Sequence, residues 1–229
     1  MRSNVKRRLT IAASVVGVAI AAIGVAHAPF ARSLLMSMGG CPMAGARMTP
    51  VESESARRMA LSAIPATVSV PAPARPALGF SLDTTSPEDV RAWAKRERVD
   101  CKEAREGLIK CPDVRPEALG LPAAQGRIDE LSLEFNRQGR LVNTTSYRSH
   151  LSPASAAREA HAIVGPLVDK LGPAEKHAGD FDAAQLGASG AASISTAMYR
   201  FTDYVADVTA MNTRSNGLAI LEHYMSARD

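Results

Sequence analysis

The sequence lacks the short signatures by which many enzymes announce their chemistry. It contains no G-x-x-x-x-G-K-[ST] and no G-x-G-x-x-G, so no glycine-rich phosphate cradle is written into it. It has no H-E-x-x-H and no C-x-x-C, which removes the commonest zinc arrangements. Gly187-Ala-Ser189-Gly190 misses the spacing of G-x-S-x-G and falls in a small-residue loop, not between a strand and a helix. Acidic residues are scarce early in the chain. Residues 1–79 hold nine Lys/Arg against two Asp/Glu (net +7), and residues 80–229 hold eighteen against twenty-one (net −3). A sequence-independent nucleic-acid binder needs its basic stripe on a folded face. Here the excess precedes the folded part, so no nucleic-acid partner is expected. Hydrophobic content of 46% with 22% charged residues excludes a disordered or collagenous chain. The residues from 80 onward suffice for one ordinary domain with a core.

Charge is also absent from Leu9 to Ala28, twenty residues that follow the basic cluster Arg2, Lys6, Arg7 and Arg8. At about 1.5 Å per residue such a helix spans roughly 30 Å, the thickness of a hydrocarbon layer. Basic residues stay on the cytoplasmic side. The expected organisation is therefore a cytoplasmic segment 1–8, a transmembrane or signal helix 9–28 and an exported remainder. The setting expected is a bacterial-type inner membrane, with the domain in the periplasm or outside. Two fates of the leader stand open. The apolar run exceeds the usual signal-peptide core, and Pro29 follows the small-residue site Ala26-His27-Ala28, which favours an uncleaved anchor. Cleavage there or at Ala44-Gly45-Ala46 would give a secreted protein, and lipidation of Cys41 a lipid-anchored one.

Residues 29–77 carry seven of the fourteen prolines and read as a tether, ending in an extended Pro71–Pro76 spacer. Inside it a helix over 50–64 is expected. Thr49 and Glu52 form a capping box, and Pro50 takes the first helical position. From residue 78 to 229 the pattern is that of an α+β domain made of two helix-then-antiparallel-strand units, with the helices on one face of the sheet. In the first unit Gly79–Leu82 reads as a strand, Ser86 caps a helix, and Glu106-Gly107 turns a hairpin. A strand with Leu131, Leu133 and Phe135 inward then turns at Asn136–Gly139 into a strand through Tyr147. The second opens at Ser152-Pro153. Ala160, Ile163, Val164, Leu167, Val168 and Leu171 keep helical spacing up to Gly172-Pro173, with a kink expected near 165 from Pro166. Strands follow at 175–181, 193–202, 203–211 and 217–226, with Asn216-Gly217 as a turn. In element order the domain resembles small bacterial envelope modules of the β-lactamase-inhibitor-like and small outer-membrane-assembly lipoprotein kinds, an analogy of fold alone.

Cys101 and Cys111 stand equidistant from Glu106, so a hairpin centred there sets them opposite each other, within disulfide reach. An exported chain meets an oxidising compartment. A bridge closing so short a loop contributes about 2.5–3 kcal/mol in the chain-entropy account. Met36, Met38, Cys41 and Met43 offer soft ligands of the kind that hold Cu(I), set against packing beside the membrane. The histidines are scattered. His161 flanks the second helix, and alternation puts His223 and Glu222 on opposite faces of the last strand. Asp180, Asp182 and His177, or Asp203 with Asp207, are the carboxylates and histidine from which a dispersed hydrolase site would be assembled. No cofactor is implied. The expected function is a membrane-tethered, exported, non-catalytic envelope protein whose domain binds another protein. The alternatives are that hydrolase, or copper handling by segment 36–48.

Overall fold

The computed structural model describes residues 49–63, 69–188, 194–213 and 217–228. The leader 9–28, both A-x-A sites and the Met/Cys segment 36–48, with Met36, Met38, Cys41 and Met43, lie outside them, as does Asn216. Among the described residues no helix is long and apolar enough to cross a membrane. By compactness the chain forms one unit of residues 1–48 and 55–65 and a second of 49–54 and 66–229. Of the first unit, residues 55–63 are described, as the continuation of helix α1 (Pro50–Ala63). The capping box expected at its start is present. The Thr49 amide donates to Glu52 Oε2 (2.7 Å) and the Glu52 amide to Thr49 Oγ1 (3.3 Å).

The second unit has the expected α+β composition, with an eight-stranded antiparallel sheet. Its elements after α1 are α2 (Pro87–Glu97), β1 (Lys102–Arg105), β2 (Leu108–Val114), β3 (Ile128–Phe135), β4 (Leu141–Leu151), α3 (Pro153–Leu171), β5 (Lys176–Ala178), α4 (Ala183–Leu186), β6 (Ile194–Arg200), β7 (Tyr204–Thr213) and β8 (Gly217–Ser226). Two short 3-10 turns, Pro116–Leu119 and Ala123–Gln125, bridge β2 to β3. The strand order β1-β2-β3-β4-β8-β7-β6-β5 consists of two four-stranded meanders that meet at β4 and β8.

Local chemistry explains most boundaries. Ser86 caps α2 by accepting from the Asp89 amide (3.2 Å), and Asp89 Oδ2 accepts from the Ser86 amide (2.9 Å). Asn136 Oδ1 accepts from the amides of Gln138 (3.1 Å) and Arg140 (2.9 Å), closing the β3–β4 turn. Two expectations differ from the structure. Gly79–Leu82 is not a strand, because Leu78 (φ 55°) and Gly79 (φ 81°) are both left-handed and fold the chain into turns. A Cβ on Gly79 would lie 2.6 Å from the Leu119 carbonyl oxygen, so glycine is required there. β5 is shorter than expected. Gly179 turns the chain at φ 67°, and Asp182 caps α4 by accepting from the Gln185 amide (2.7 Å).

Alternation divides the sheet into two faces. Ile109, Leu131, Leu133, Ile220, Val208, Ala197 and Tyr199 join Val90 and Trp93 of α2 and Ala156, Ala160, Ile163 and Leu167 of α3 in one buried cluster. The opposite face meets the first turn of α1, where Ser53 Oγ donates to Glu134 Oε1. The helices of the two expected units, α2 and α3, thus contribute to that one cluster, and the helix before the domain touches the opposite face. The last part of the Pro-rich stretch is also fastened to the domain. Asp203 Oδ1 accepts from the Ala72 amide (2.8 Å), the Tyr204 hydroxyl donates to the Pro76 carbonyl (2.6 Å), and Arg75 pairs with Asp83 (2.7 Å).

α3 runs through Pro166, which has no N–H to give the Ala162 carbonyl one turn back. Gln125 supplies the missing donor, its Nε2 lying 3.2 Å from that oxygen. Replacing Gln125 by Leu leaves this partly buried carbonyl without its partner. The expected cost is about 1–2 kcal/mol of stability, read as a lower urea midpoint at unchanged slope. An unchanged midpoint would show that Gln125 is not the carbonyl's necessary partner.

Candidate functional site

The expected cysteine pairing is present. β1 and β2 pair Lys102 with Lys110 and Glu103 with Ile109, and the next pair outward, Cys101 and Cys111, is joined at disulfide distance with Cα atoms 4.1 Å apart. Cys111 is fully buried, so the bridge ties the edge hairpin to the core.

Two polar constellations lie back to back where the meanders meet. On the core face, β4 presents Thr144, Ser146 and Arg148, all with no exposed surface, and Ser146 pairs with Glu222 of β8. Glu222 Oε2 accepts from Ser146 Oγ (2.9 Å) and Arg148 Nη1 (3.1 Å), while Oε1 accepts from the Tyr224 hydroxyl. A second carboxylate, Glu159 of α3, stands 4.0 Å from Arg148 Nε. Glu159 is pressed against Gly126, where any Cβ would come within 2.5 Å of its carboxylate. Burial pushes the Glu159 carboxyl above the usual range, and Asp129 adds to this, while Arg148 and Arg158 oppose it.

On the opposite face, strand registers align one residue from each of the eight strands: Lys102, Lys110, Ser132, Thr145, His223, Asp207, Met198 and Lys176. Lys110, Ser132, Thr145, Asp207 and Met198 are half-buried, and His223 is buried. His223 Nδ1 lies 3.4 Å from Asp207 Oδ1. Burial opposes charge on this imidazole, but Asp207 on the neighbouring β7, by proximity and hydrogen bond, and Glu134 on the other side, on β3, raise its pKa above the usual histidine value. Such a pair holds a proton and orients a ring. Among the described residues no hydroxyl or thiol is hydrogen-bonded to His223, so no activated nucleophile accompanies it. Glu222 and His223 do occupy opposite faces, and each is partnered across a strand, a pairing that inspection of β8 alone does not reveal.

The dispersed hydrolase candidates have other occupations. Asp182 caps α4, and His177 is exposed and packs edge-on against Phe181 at 5.9 Å. Among the described residues neither Asp180 nor Asp182 hydrogen-bonds to His177. Asp203 accepts from Ala72 and from Arg228 Nη2 (2.9 Å) with Arg75 nearby, whereas Asp207 faces His223. His161 Nδ1 contacts the Ala157 carbonyl on its own helix (2.7 Å). No group of three or more His, Cys, Asp or Glu among the described residues is placed to hold a metal. The chain matches no known protein family, no curated protein and no solved structure.

Breaking a buried ion pair costs more than replacing it, because the remaining charge stays in a dry interior. Arg148→Met is expected to lose about 3–5 kcal/mol, and Arg148→Met with Glu222→Leu markedly less. Equal losses measured by denaturant titration would remove the pair's special status. For Glu159 the folded state holds the proton more tightly than the unfolded chain. Its contribution is therefore full at low pH and lost as pH rises through the folded pKa. Glu159→Gln should gain on wild type in urea midpoint between acid and mildly alkaline pH; a pH-independent difference would contradict the shift.

Proposed function

We propose that this chain is a membrane-tethered, exported, non-catalytic envelope protein whose sheet binds another protein across the face opposite its core. The observation that carries this reading is the half-buried row from Lys110 to Met198, presented on strands whose other face is packed. A side-chain row on paired strands is pre-organised, so little ordering accompanies binding. It also mixes Lys, Ser, Thr, Asp and Met, in keeping with the mixed polar and apolar character of transient protein interfaces. The basic cluster before Leu9–Ala28 supports the tether and its orientation, and the joined cysteines fit an oxidising compartment.

The test places a photocrosslinking residue at Thr145 of the full chain in intact envelopes, with a second chain labelled at Val168, an exposed site on α3 (42% exposed). One discrete protein adduct is expected from position 145 and is not expected from 168. No adduct from 145, or the same mixture from both, would overturn the binding face. A phosphatase that folds only outside the cytoplasm, fused after Asp229, is expected to be active; an inactive, intact fusion would overturn export.

A further inference from the structure

We propose that the core has a binding site for one water molecule between α3 and the sheet, made by the second edge of the Arg148 guanidinium and by Glu159. The inference stands apart from the binding reading above, because it concerns the interior alone. A guanidinium presents its N–H donors in a fixed planar fork. On Arg148, Nη1 donates to Ser146 Oγ (2.8 Å) and Glu222 Oε2 (3.1 Å), which uses both of its hydrogens. Nε and Nη2 have no hydrogen-bond partner among the described residues, although the side chain has no exposed surface. Glu159 Oε2 is buried without such a partner as well, and it stands 4.0 Å from Arg148 Nε.

Bare donors on a buried cation are costly, and buried polar groups are nearly always partnered. The separation of Nε and Oε2 is too long for a direct hydrogen bond and suits one relayed by water. An oxygen about 2.9 Å from each atom closes a triangle on that 4.0 Å base. Nη2, beside Nε on the same edge of the fork, supplies a further donor. A water there accepts from Nε and Nη2 and contacts Oε2, about three hydrogen bonds, the usual complement of a buried water. Two features keep Glu159 from closing directly onto the arginine. Gly126 abuts the same carboxyl, so the loop also sets its position. Burial holds that carboxyl toward its neutral form against the pull of Arg148, and a neutral carboxyl gains less from direct contact with a cation. Arg148 thus works on two edges. One fastens β4 to β8, and the other, through the water, fastens α3 to β4.

The test counts slowly exchanging internal waters by water oxygen-17 relaxation dispersion on the full chain in detergent micelles, so that each variant is read as a difference from wild type. Glu159→Met, similar in length but without a polar oxygen, is expected to read one long-lived water fewer. Glu159→Gln, which keeps an oxygen at that place, is expected to read the same number as wild type. Amide hydrogen exchange in β4 and β8 is expected to be unchanged in both, because the bonds among Ser146, Arg148 and Glu222 are spared. An unchanged count in a folded Glu159→Met overturns the site, and so does a lost water in Glu159→Gln. Should Glu159→Met fail to fold, a crystal structure of the wild-type chain decides the matter. An ordered water within hydrogen-bond reach of Arg148 Nε and Glu159 Oε2 upholds the site; direct contact between those atoms, or a dry gap, overturns it.

Discussion

The ion pair between Arg148 and Glu222 sits where two four-stranded meanders become one sheet, and the rest of the unit is built outward from that seam. β4 and β8 are the one strand pair joining the halves. Their core-facing side chains are polar: Thr144, Ser146 and Arg148 on one strand, Glu222 with the Tyr224 hydroxyl on the other. A two-residue slip keeps every side chain on its face, and apolar residues there would still pack after it. The Ser146–Glu222–Arg148 contacts would not survive it. Desolvation offsets much of the Coulomb attraction in such a pair. Its contribution on these energetics is to alignment of the halves, with the net gain in stability left to the apolar cluster around it.

Other attachments hang from the same seam. Glu159 brings α3 to Arg148, and Gly126 leaves room for that carboxylate. Tyr224 stacks on Tyr204 with ring centroids 6.5 Å apart, and Tyr204 donates to Pro76 in the strap. A line of polar contacts thus crosses the core from the helix of the second half to the incoming Pro-rich chain. The strap enters as part of the fold, with Ala77 and Leu78 buried. On the proposed tethered reading, a pull from the membrane reaches α1 first and, past it, Asp203, Tyr204 and Ser226, to which Arg75 Nη2 donates (2.9 Å), near one end of β7 and β8.

What was legible in the sequence was what local pattern and turn arithmetic carry. Caps at Thr49, Ser86 and Ser152, the Asn136–Gly139 turn and the cysteine pair all rest on residues close in sequence. The His223–Asp207 pair rests on the same arithmetic. Thr213 pairs with Gly217, which places 207 opposite 223 just as the first hairpin places 101 opposite 111. A two-residue turn at Asn216-Gly217, which the sequence suggests, would set His223 opposite Ala210; the pair emerges only from the Thr213–Gly217 register of the ladder. The seam was not legible at all, since Arg148 and Glu222 are 74 residues apart and look like ordinary surface charges until β4 meets β8. Gly79 belongs with them, because the room for a side chain there is taken by the carbonyl of Leu119, forty residues on, a contact that no local pattern records.

β8 ties these levels together. From Leu218 to Ser226 every residue is buried, so the strand is specified from both sides at once. Glu222 holds its register against β4 from within, while His223 faces Asp207 on the other surface. A strand gripped on both faces cannot shift to suit a ligand, and the half-buried row beside it is held already in position. That rigidity is the pre-organisation that the proposed binding face relies on.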